Sequence, residues 1–453
     1  MFCLVFFLLA LGVSALIPIR DPSDLLPPVQ WESDNLIKAN YNDPTSGQTI
    51  PFRAPHYLVN SNNYIHDQRL AWRANDSSVV VVTSDSSVTF RRVQIEKFGY
   101  SSSLNQASFY GLNSAILIAN KSYSVLENVN ITTHNGAANL YAYGQGTLVE
   151  ISDAWLYSSG PNAHGLYAAG NGTIIASNID HYSGGNRCSA FAGDYPASNF
   201  TITKAVSRTD GIGSAIAFVV GYGKLDSVVG YAANAPALFH LSGHAIAKNS
   251  DLTASLLGGV VFFGIEKSES LSLTLEDTKL AVRHKEAPAL WFGNTIGQAT
   301  VVRSQLITES GILVVANYST ITQEFNFYAG ASESTTLNTA DARITIDDSV
   351  VKGDIVAYNG STIGFSLVNN AYWTGKTRTD GRSAQLGVSL DSSSTWDMTG
   401  NVELYNFTNS DLKFKNIASN GFTISYDPDA PGSKALKKKT YWLPGGGKVK
   451  PMR

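Results

Sequence analysis

Side chains suited to sugar chemistry recur at similar places in three successive segments of this chain. Carboxylates and imidazoles can act as general acids and bases, and aromatic rings can stack on the apolar faces of sugars. The candidate catalytic residues are Asp180, His181, Arg208 and Asp210. The candidate substrate-binding residues are Asp153, Trp155, Tyr157, His164 and Tyr182. The alternative is an ordinary solvated face, on which Tyr and Asn ladders only stabilise the fold.

The stretch from Gly144 to Ala192 positions most of these residues, because it repeats itself after about 25 residues. Each copy reads as a short alternating strand, a turn, a second strand and a glycine-rich corner. Such a repeat cannot close a core alone and must stack on its neighbours. The chain is therefore predicted to be all-β, a right-handed parallel β-helix. Aligning the copies places Asp153 beside Asn178, Trp155 beside Asp180 and Tyr157 beside Tyr182.

The amino-acid composition agrees with this fold class and limits the classes of partner and cofactor that the chain is expected to bind. Among the 453 residues, only 15% are charged and 39 are glycine, as expected for strands and turns rather than helices. The net charge of −3 argues against nucleic acid or an anionic membrane as a partner. No nucleotide-binding glycine loop or metal-ligand spacing is present, so no cofactor and no metal are expected. The expected partner of a monomer is a polysaccharide or a small-molecule ligand.

The N-terminus predicts secretion. Residues 1–15 have the apolar run and small-residue cleavage site of a signal peptide. Only Cys188 then remains, so no disulfide is expected within the chain and the thiol is predicted to be buried. Candidate N-glycosylation sites are Asn75, Asn120, Asn130, Asn171, Asn199, Asn317, Asn359 and Asn406.

The sequences before and after the repeats predict how the rest of the chain is divided. Residues 16–75 are proline-rich and are predicted to be an irregular cap, with a short helix within Asp21–Lys38. Residues 76–426 are predicted to form the β-helix. Residues 427–453 are predicted to be a basic, solvated tail in which Tyr441–Leu443 folds back onto the last coil. Large aromatic residues at the rung ends are predicted to be mostly interior, at Tyr141, Tyr143, Tyr167, Phe191, Phe218, Tyr222, Phe239, Phe262, Phe263, Trp291 and Phe292.

One segment resembles a known family. VSLDSSSTWDMTGNVELYNF contains a Trp-bearing phrase, Leu390–Gly400, and EISDAWLYSSGPNAHGLYAAGNGTI resembles an upstream rung. From roughly Ser114 to Tyr426, the chain resembles uncharacterised extracellular right-handed β-helix proteins of fungi and bacteria, in the pectin-lyase-like superfamily. The resemblance implies the fold and a terminal cap at Leu390–Gly400, but no activity. The residue sets of polygalacturonases and pectate lyases are absent.

Three functions are compatible with these observations. The leading hypothesis is a secreted glycoprotein that binds or acts on an extracellular polysaccharide along its lateral face. The second is a non-catalytic structural protein of the cell wall or of adhesion. The third is a small-molecule enzyme of the secretory pathway, such as a cyclase or isomerase, with an aromatic pocket.

Overall fold

The protein is a parallel β-solenoid of about 14 turns, as seen in a computed structural model. The structure describes residues 47–135, 138–264, 271–316, 339–358, 360–380 and 384–452. The strands pair in parallel with strands one turn away, except for the short strand Tyr441–Trp442, which pairs antiparallel near the C-terminus. This pairing confirms the predicted all-β stacking of repeats.

The strands follow one another around the coil. The elements of the first turns are β1 His56–Val59, β2 Asn62–His66, β3 Arg69–Trp72, β4 Val80–Thr83, β5 Ser87–Arg91, β6 Gln94–Lys97, helix α1 Leu104–Tyr110, β7 Ile116–Ala119, β8 Tyr123–Thr133, β9 Leu140–Tyr143 and β10 Leu148–Ser158. The middle turns contain β11 Leu166–Ala169, β12 Thr173–Ser183, β13 Phe191–Gly193, β14 Ser198–Ile212, β15 Ala217–Asn234, β16 Leu238–Lys248, β17 Asp251–Ala254, β18 Val260–Phe263, β19 Leu271–Glu276, β20 Lys279–Val282, β21 Leu290–Gly293, β22 Ile296–Val302, β23 Gln305–Thr308 and β24 Ile312–Ala316.

The C-terminal turns continue the same stack. They contain β25 Asp341–Asp347, β26 Val350–Lys352, β27 Asp354–Tyr358, β28 Thr362–Val368, β29 Tyr372–Gly375, β30 Thr377–Asp380, β31 Gln385–Leu390, β32 Thr395–Met398, β33 Val402–Leu404, β34 Asn406–Asn409, β35 Ile417–Ala418, β36 Thr423–Tyr426, the 3-10 helix Pro431–Leu436, β37 Tyr441–Trp442 and β38 Lys448–Pro451. Among the described residues, no helix is both long and apolar enough to cross a lipid bilayer.

A sharp corner divides each of the long strands β8, β10 and β12 in two. One residue at this corner takes a left-handed conformation, with φ between 52° and 53°, at Asn128, Asp153 and Asn178. Asn and Asp tolerate this conformation better than most residues do. Two consecutive outward residues at the corner shift the alternation, so in β12 Ile179 points inward and Asp180 outward. The corner therefore decides which side chains reach the lateral face.

Helix α1 lies against the outer side of the sheet. Ser103 Oγ accepts a hydrogen bond from the Gln106 backbone N–H at the helix start, and Gly111 ends the helix with φ 78°. Asn162 Nδ2 donates to Ser108 Oγ at 2.9 Å, and the Tyr141 hydroxyl donates to the Ser108 carbonyl. These bonds anchor the helix over the short strand β9.

The first coil begins earlier than predicted. Strands β1–β3 lie within the supposed cap at 16–75 and pair in register with β4–β6. Most of their side chains are exposed because they belong to the terminal coil, so their sequence lacks the apolar alternation of an interior rung. The helix predicted within Asp21–Lys38 and the signal peptide at 1–15 lie outside the described residues.

The C-terminal region is also more ordered than predicted. Leu390–Gly400 is an interior rung instead of a cap, since Trp396 is fully buried, with its ring 4.7 Å from that of Trp373, and β33–β38 follow it. Strand β38 pairs with β36, so residues 427–452 pack on the end of the stack and are not a free tail. Leu443 is buried in the core, as the fold-back prediction required.

Candidate functional site

The predicted lateral face is formed by the outward residues that follow the corner. Trp155 pairs with Asp180, and Tyr157 pairs with Tyr182, in the parallel register of β10 and β12. Asp153 lies beside Asn178, whose Nδ2 donates a hydrogen bond to the Asp153 carboxylate at 3.0 Å. The three neighbour pairs predicted from the repeat are thus confirmed.

A shallow cleft of about 420 Å³ opens on this face. Four successive turns, which contribute β8, β10, β12 and β14, form its walls at the corner of these strands. The residues lining it are Asn130, Asp153, Ala154, Trp155, Asn178, Ile179, Asp180, Lys204 and Val206. The cleft therefore contains two carboxylates, two amides, one ammonium and one indole, which is the mixture of polar groups and one apolar plate typical of sugar sites.

Trp155 provides the apolar plate of the cleft. It is half-buried, and its ring stacks on that of Tyr157 with centroids 6.2 Å apart and planes inclined by 13°. Tyr157 in turn stacks on Tyr182 at 5.8 Å. This row of rings supports the indole, which also lines the cleft. Tyr157 itself is 1% exposed, so it supports Trp155 and does not contact a ligand, contrary to its predicted role.

The two cleft carboxylates lie on adjacent turns. A strand spacing of about 4.8 Å and a rise of about 3.3 Å per residue place the Cα atoms of Asp153 and Asp180 on the order of 8 Å apart. Both residues are exposed, and the Asp180 carboxylate makes no hydrogen bond or ion pair with any other residue of the described ranges. Its oxygens are therefore available to accept hydrogen bonds from ligand hydroxyls.

The remaining predicted residues of the face bind one another. Tyr182 Oη donates to Asp210 Oδ2 at 2.9 Å, and Arg208 Nε donates to Asp210 Oδ1 at 2.9 Å. The Arg208 guanidinium also lies 5.2 Å from the centre of the Tyr231 ring. This network borders the row of rings at β14, the strand that also contributes Lys204 and Val206 to the cleft, and it engages both oxygens of Asp210.

Two predicted imidazoles are not on this face. His181 is 1% exposed and points into the coil, because neighbouring residues of a strand point to opposite sides and Asp180 points outward. His164 is also buried, with its ring 4.3 Å from that of Tyr167. Burial lowers the pKa of both imidazoles to about 3, so each is neutral inside the protein. Neither can serve as an acid or base toward a ligand in the cleft.

A second polar cluster lies on the other side of the coil, under helix α1. The rings of Tyr141 and Tyr167 are 4.7 Å apart, and Tyr167 Oη donates to Asp194 Oδ2 at 2.6 Å. Burial raises the pKa of the Asp194 carboxyl and of both phenols. Asp194 was not among the candidates predicted from the sequence, because it follows β13 in a loop whose path the repeat does not determine.

This cluster also corrects the expected position of the aromatic residues. Phe191, Phe262 and Phe292 belong to the main core. Tyr141 and Tyr167 belong to a second apolar cluster. Phe239, Phe263 and Trp291 belong to a third. The reason is that short strands such as β11 and β18 are buried on both faces, so their outward aromatic residues are covered as well.

The other predicted sites are placed as follows. Cys188 is free and buried, as expected. Six sequon asparagines are described, of which Asn406 is half-buried and the others are exposed, at Asn75, Asn120, Asn130, Asn171 and Asn199. Asn317 and Asn359 lie outside the described residues. Within the part of the chain that the structure describes, no group of three or more His, Cys, Asp or Glu side chains is arranged to hold a metal ion.

Comparisons of this chain with protein-family models, with curated proteins and with solved structures found no match.

Proposed function

We propose that this chain is a secreted protein that binds an extracellular polysaccharide in the lateral cleft. One observation carries the proposal: a ring-supported indole, Trp155, lies beside Asp180 in a groove that also contains Asp153, Asn178 and Lys204. A sugar ring stacked on the indole would place its hydroxyls against these carboxylate, amide and ammonium groups. The cleft is open, as an internal segment of a long chain requires.

The geometry favours binding over cleavage. A general acid of a glycosidase normally has a desolvated carboxyl group, which keeps its proton near neutral pH. Asp153 and Asp180 are instead exposed, and both predicted imidazoles are inside the coil. Arg208 is engaged by Asp210 on the same strand, β14. The residues of the cleft therefore support recognition of hydroxyl groups more than proton transfer.

A direct test is binding of the purified protein, produced without N-glycans, to a panel of plant, fungal and bacterial wall polysaccharides, measured by calorimetry or affinity electrophoresis. The substitution Trp155→Ala is expected to weaken binding at least about tenfold, because it removes the stacking surface. The control is Trp442→Ala, which removes an indole that is 69% exposed in the C-terminal turn. Absence of binding to the whole panel, or equal binding by wild type and Trp155→Ala, refutes the proposal. The first result would favour a structural role in a wall or in adhesion.

A second candidate function rests on the Tyr167–Asp194 pair. Burial raises the pKa of the Asp194 carboxyl, and a carboxyl group with a raised pKa beside a phenol could serve as the acid of a small-molecule cyclase or isomerase. The substitution Asp194→Asn separates this function from the first. It would abolish turnover of a small-molecule substrate and would leave polysaccharide binding in the distant cleft unchanged.

A further inference from the structure

One sequon asparagine lines the lateral cleft itself. Asn130 is exposed on β8, its sequon is completed by Thr132, and it is one of the cleft-lining residues. The exposed sequon asparagines Asn75, Asn120, Asn171 and Asn199 do not line the cleft. A sugar attached at Asn130 would therefore begin inside the proposed binding site.

The register determines where that sugar would lie. Asn130 pairs with Trp155, and Trp155 pairs with Asp180, so the three form one outward row across three turns. Adjacent strands are about 4.8 Å apart, so the first sugar on Asn130 Nδ2 is within reach of the neighbouring indole. The indole offers an apolar face, and Asp180 beyond it offers acceptor oxygens for the sugar hydroxyls.

We propose that an N-linked glycan on Asn130 folds onto Trp155 and occupies the lateral cleft, so that glycosylation of this one residue closes the site to external polysaccharide. This inference rests on the proposed function, because the closed site is the proposed polysaccharide site. Its chemistry is intramolecular: the attached glycan has a high effective concentration at the cleft and competes with a free ligand without any new contact. The unmodified chain keeps the cleft open.

Two substitutions separate the glycan from the cleft lining. Thr132→Val removes the Asn130 sequon and keeps the asparagine side chain in the cleft. Thr173→Val is the matched control, because it removes the sequon of Asn171, which lies on a different corner, and also replaces a half-buried threonine in an outward strand position. Protein is produced in a eukaryotic secretory host, and occupancy of each sequon is mapped by mass spectrometry of peptides.

The expected result is an occupied Asn130 and polysaccharide binding at least about tenfold tighter by Thr132→Val than by wild type or Thr173→Val. An unoccupied Asn130 in protein whose Asn171 or Asn199 is occupied overturns the inference. Equal affinities of wild type and Thr132→Val also overturn it, provided that Asn130 is occupied in the wild type.

A second measurement needs no external ligand. In the folded protein, a peptide-N-glycosidase is expected to release the Asn130 glycan at least about tenfold more slowly than the Asn171 or Asn199 glycan, because stacking on Trp155 shields it. The substitution Trp155→Ala is expected to remove this difference. If Thr132→Val binds no polysaccharide but the Asn130 glycan is released slowly, the proposed function is refuted and the position of the glycan on Trp155 is supported. If the Asn130 glycan is released as fast as the others, or if its release stays slow in Trp155→Ala, its position on Trp155 is refuted.

Discussion

The buried His181 makes the stability of the solenoid depend on pH. Its imidazole lies in the same inward row as Ile131 and Leu156, and its Nδ1 is 3.2 Å from Ser207 Oγ. Leucine already occupies this row one turn earlier. We therefore expect His181→Leu to be accommodated by the core and to remove one titrating group from the interior.

The size of the change in unfolding free energy follows from the pKa of His181 in the folded and in the unfolded chain. Burial lowers the pKa of His181 from 6.5 to about 3. Below pH 6.5 the unfolded chain takes up a proton that the folded chain does not, so stability that is present above pH 6.5 is lost as the pH falls toward 3. At pH 5, which is about 1.5 pH units below the unfolded value, this loss is about 2 kcal/mol.

The assay is chemical unfolding at pH 7 and pH 5. Wild type is expected to lose unfolding free energy at pH 5, and His181→Leu to lose about 2 kcal/mol less than wild type. The control His244→Gln changes an imidazole that is exposed in the folded protein and should follow the wild type. An equal loss for wild type and His181→Leu would show that His181 is not held neutral in the core, and would refute the inward placement.

Three further predictions concern the rungs. The substitution Trp396→Ala removes a fully buried ring that stacks at 4.7 Å on the next rung, and it should cost roughly 3–5 kcal/mol of unfolding free energy in denaturant titrations. An added Cβ at Gly185 would lie 2.0 Å from the Gly160 carbonyl oxygen, so Gly185→Ala should prevent normal folding. The control is Gly364→Ala, which should give a wild-type thermal unfolding curve because no atom lies within 4 Å of the added Cβ. The Cys188 thiol donates to the Gly160 carbonyl at 2.8 Å and is fully buried; it should resist alkylation until the protein unfolds, and rapid labelling of the native protein would contradict this placement.

Much of the architecture was predictable because the repeat is visible in the sequence. Aligning the two copies of the repeat predicts the correct neighbours of Asp153, Trp155 and Tyr157. Parallel stacking of the strands then follows, because similar repeats place equivalent residues next to each other on adjacent turns. The terminal coils were not predictable in this way, because an end rung is exposed on one side and loses its apolar alternation.

The site was only partly predictable. Beyond the corner, adjacent residues of β12 point to opposite faces, so placing Asp180 and His181 on one face was wrong. The apolar Ile179 was the signal in the sequence that Asp180 points outward and His181 inward. The cleft itself depends on the left-handed corner at Asp153 and Asn178, which alternation alone does not reveal. The Tyr167–Asp194 bond joins residues on successive turns through a loop whose path the repeat does not determine.

The most direct test of the central claim is ¹⁹F NMR of protein labelled with 5-fluorotryptophan and produced without N-glycans. The chain contains seven tryptophans, and the Trp155→Phe variant assigns the Trp155 signal. Addition of the polysaccharide fragment that binds best is expected to shift the Trp155 signal and to leave the signals of Trp396 and Trp442 in place. Binding that leaves the Trp155 signal unchanged, or that shifts the Trp442 signal instead, would contradict the lateral cleft as the polysaccharide site.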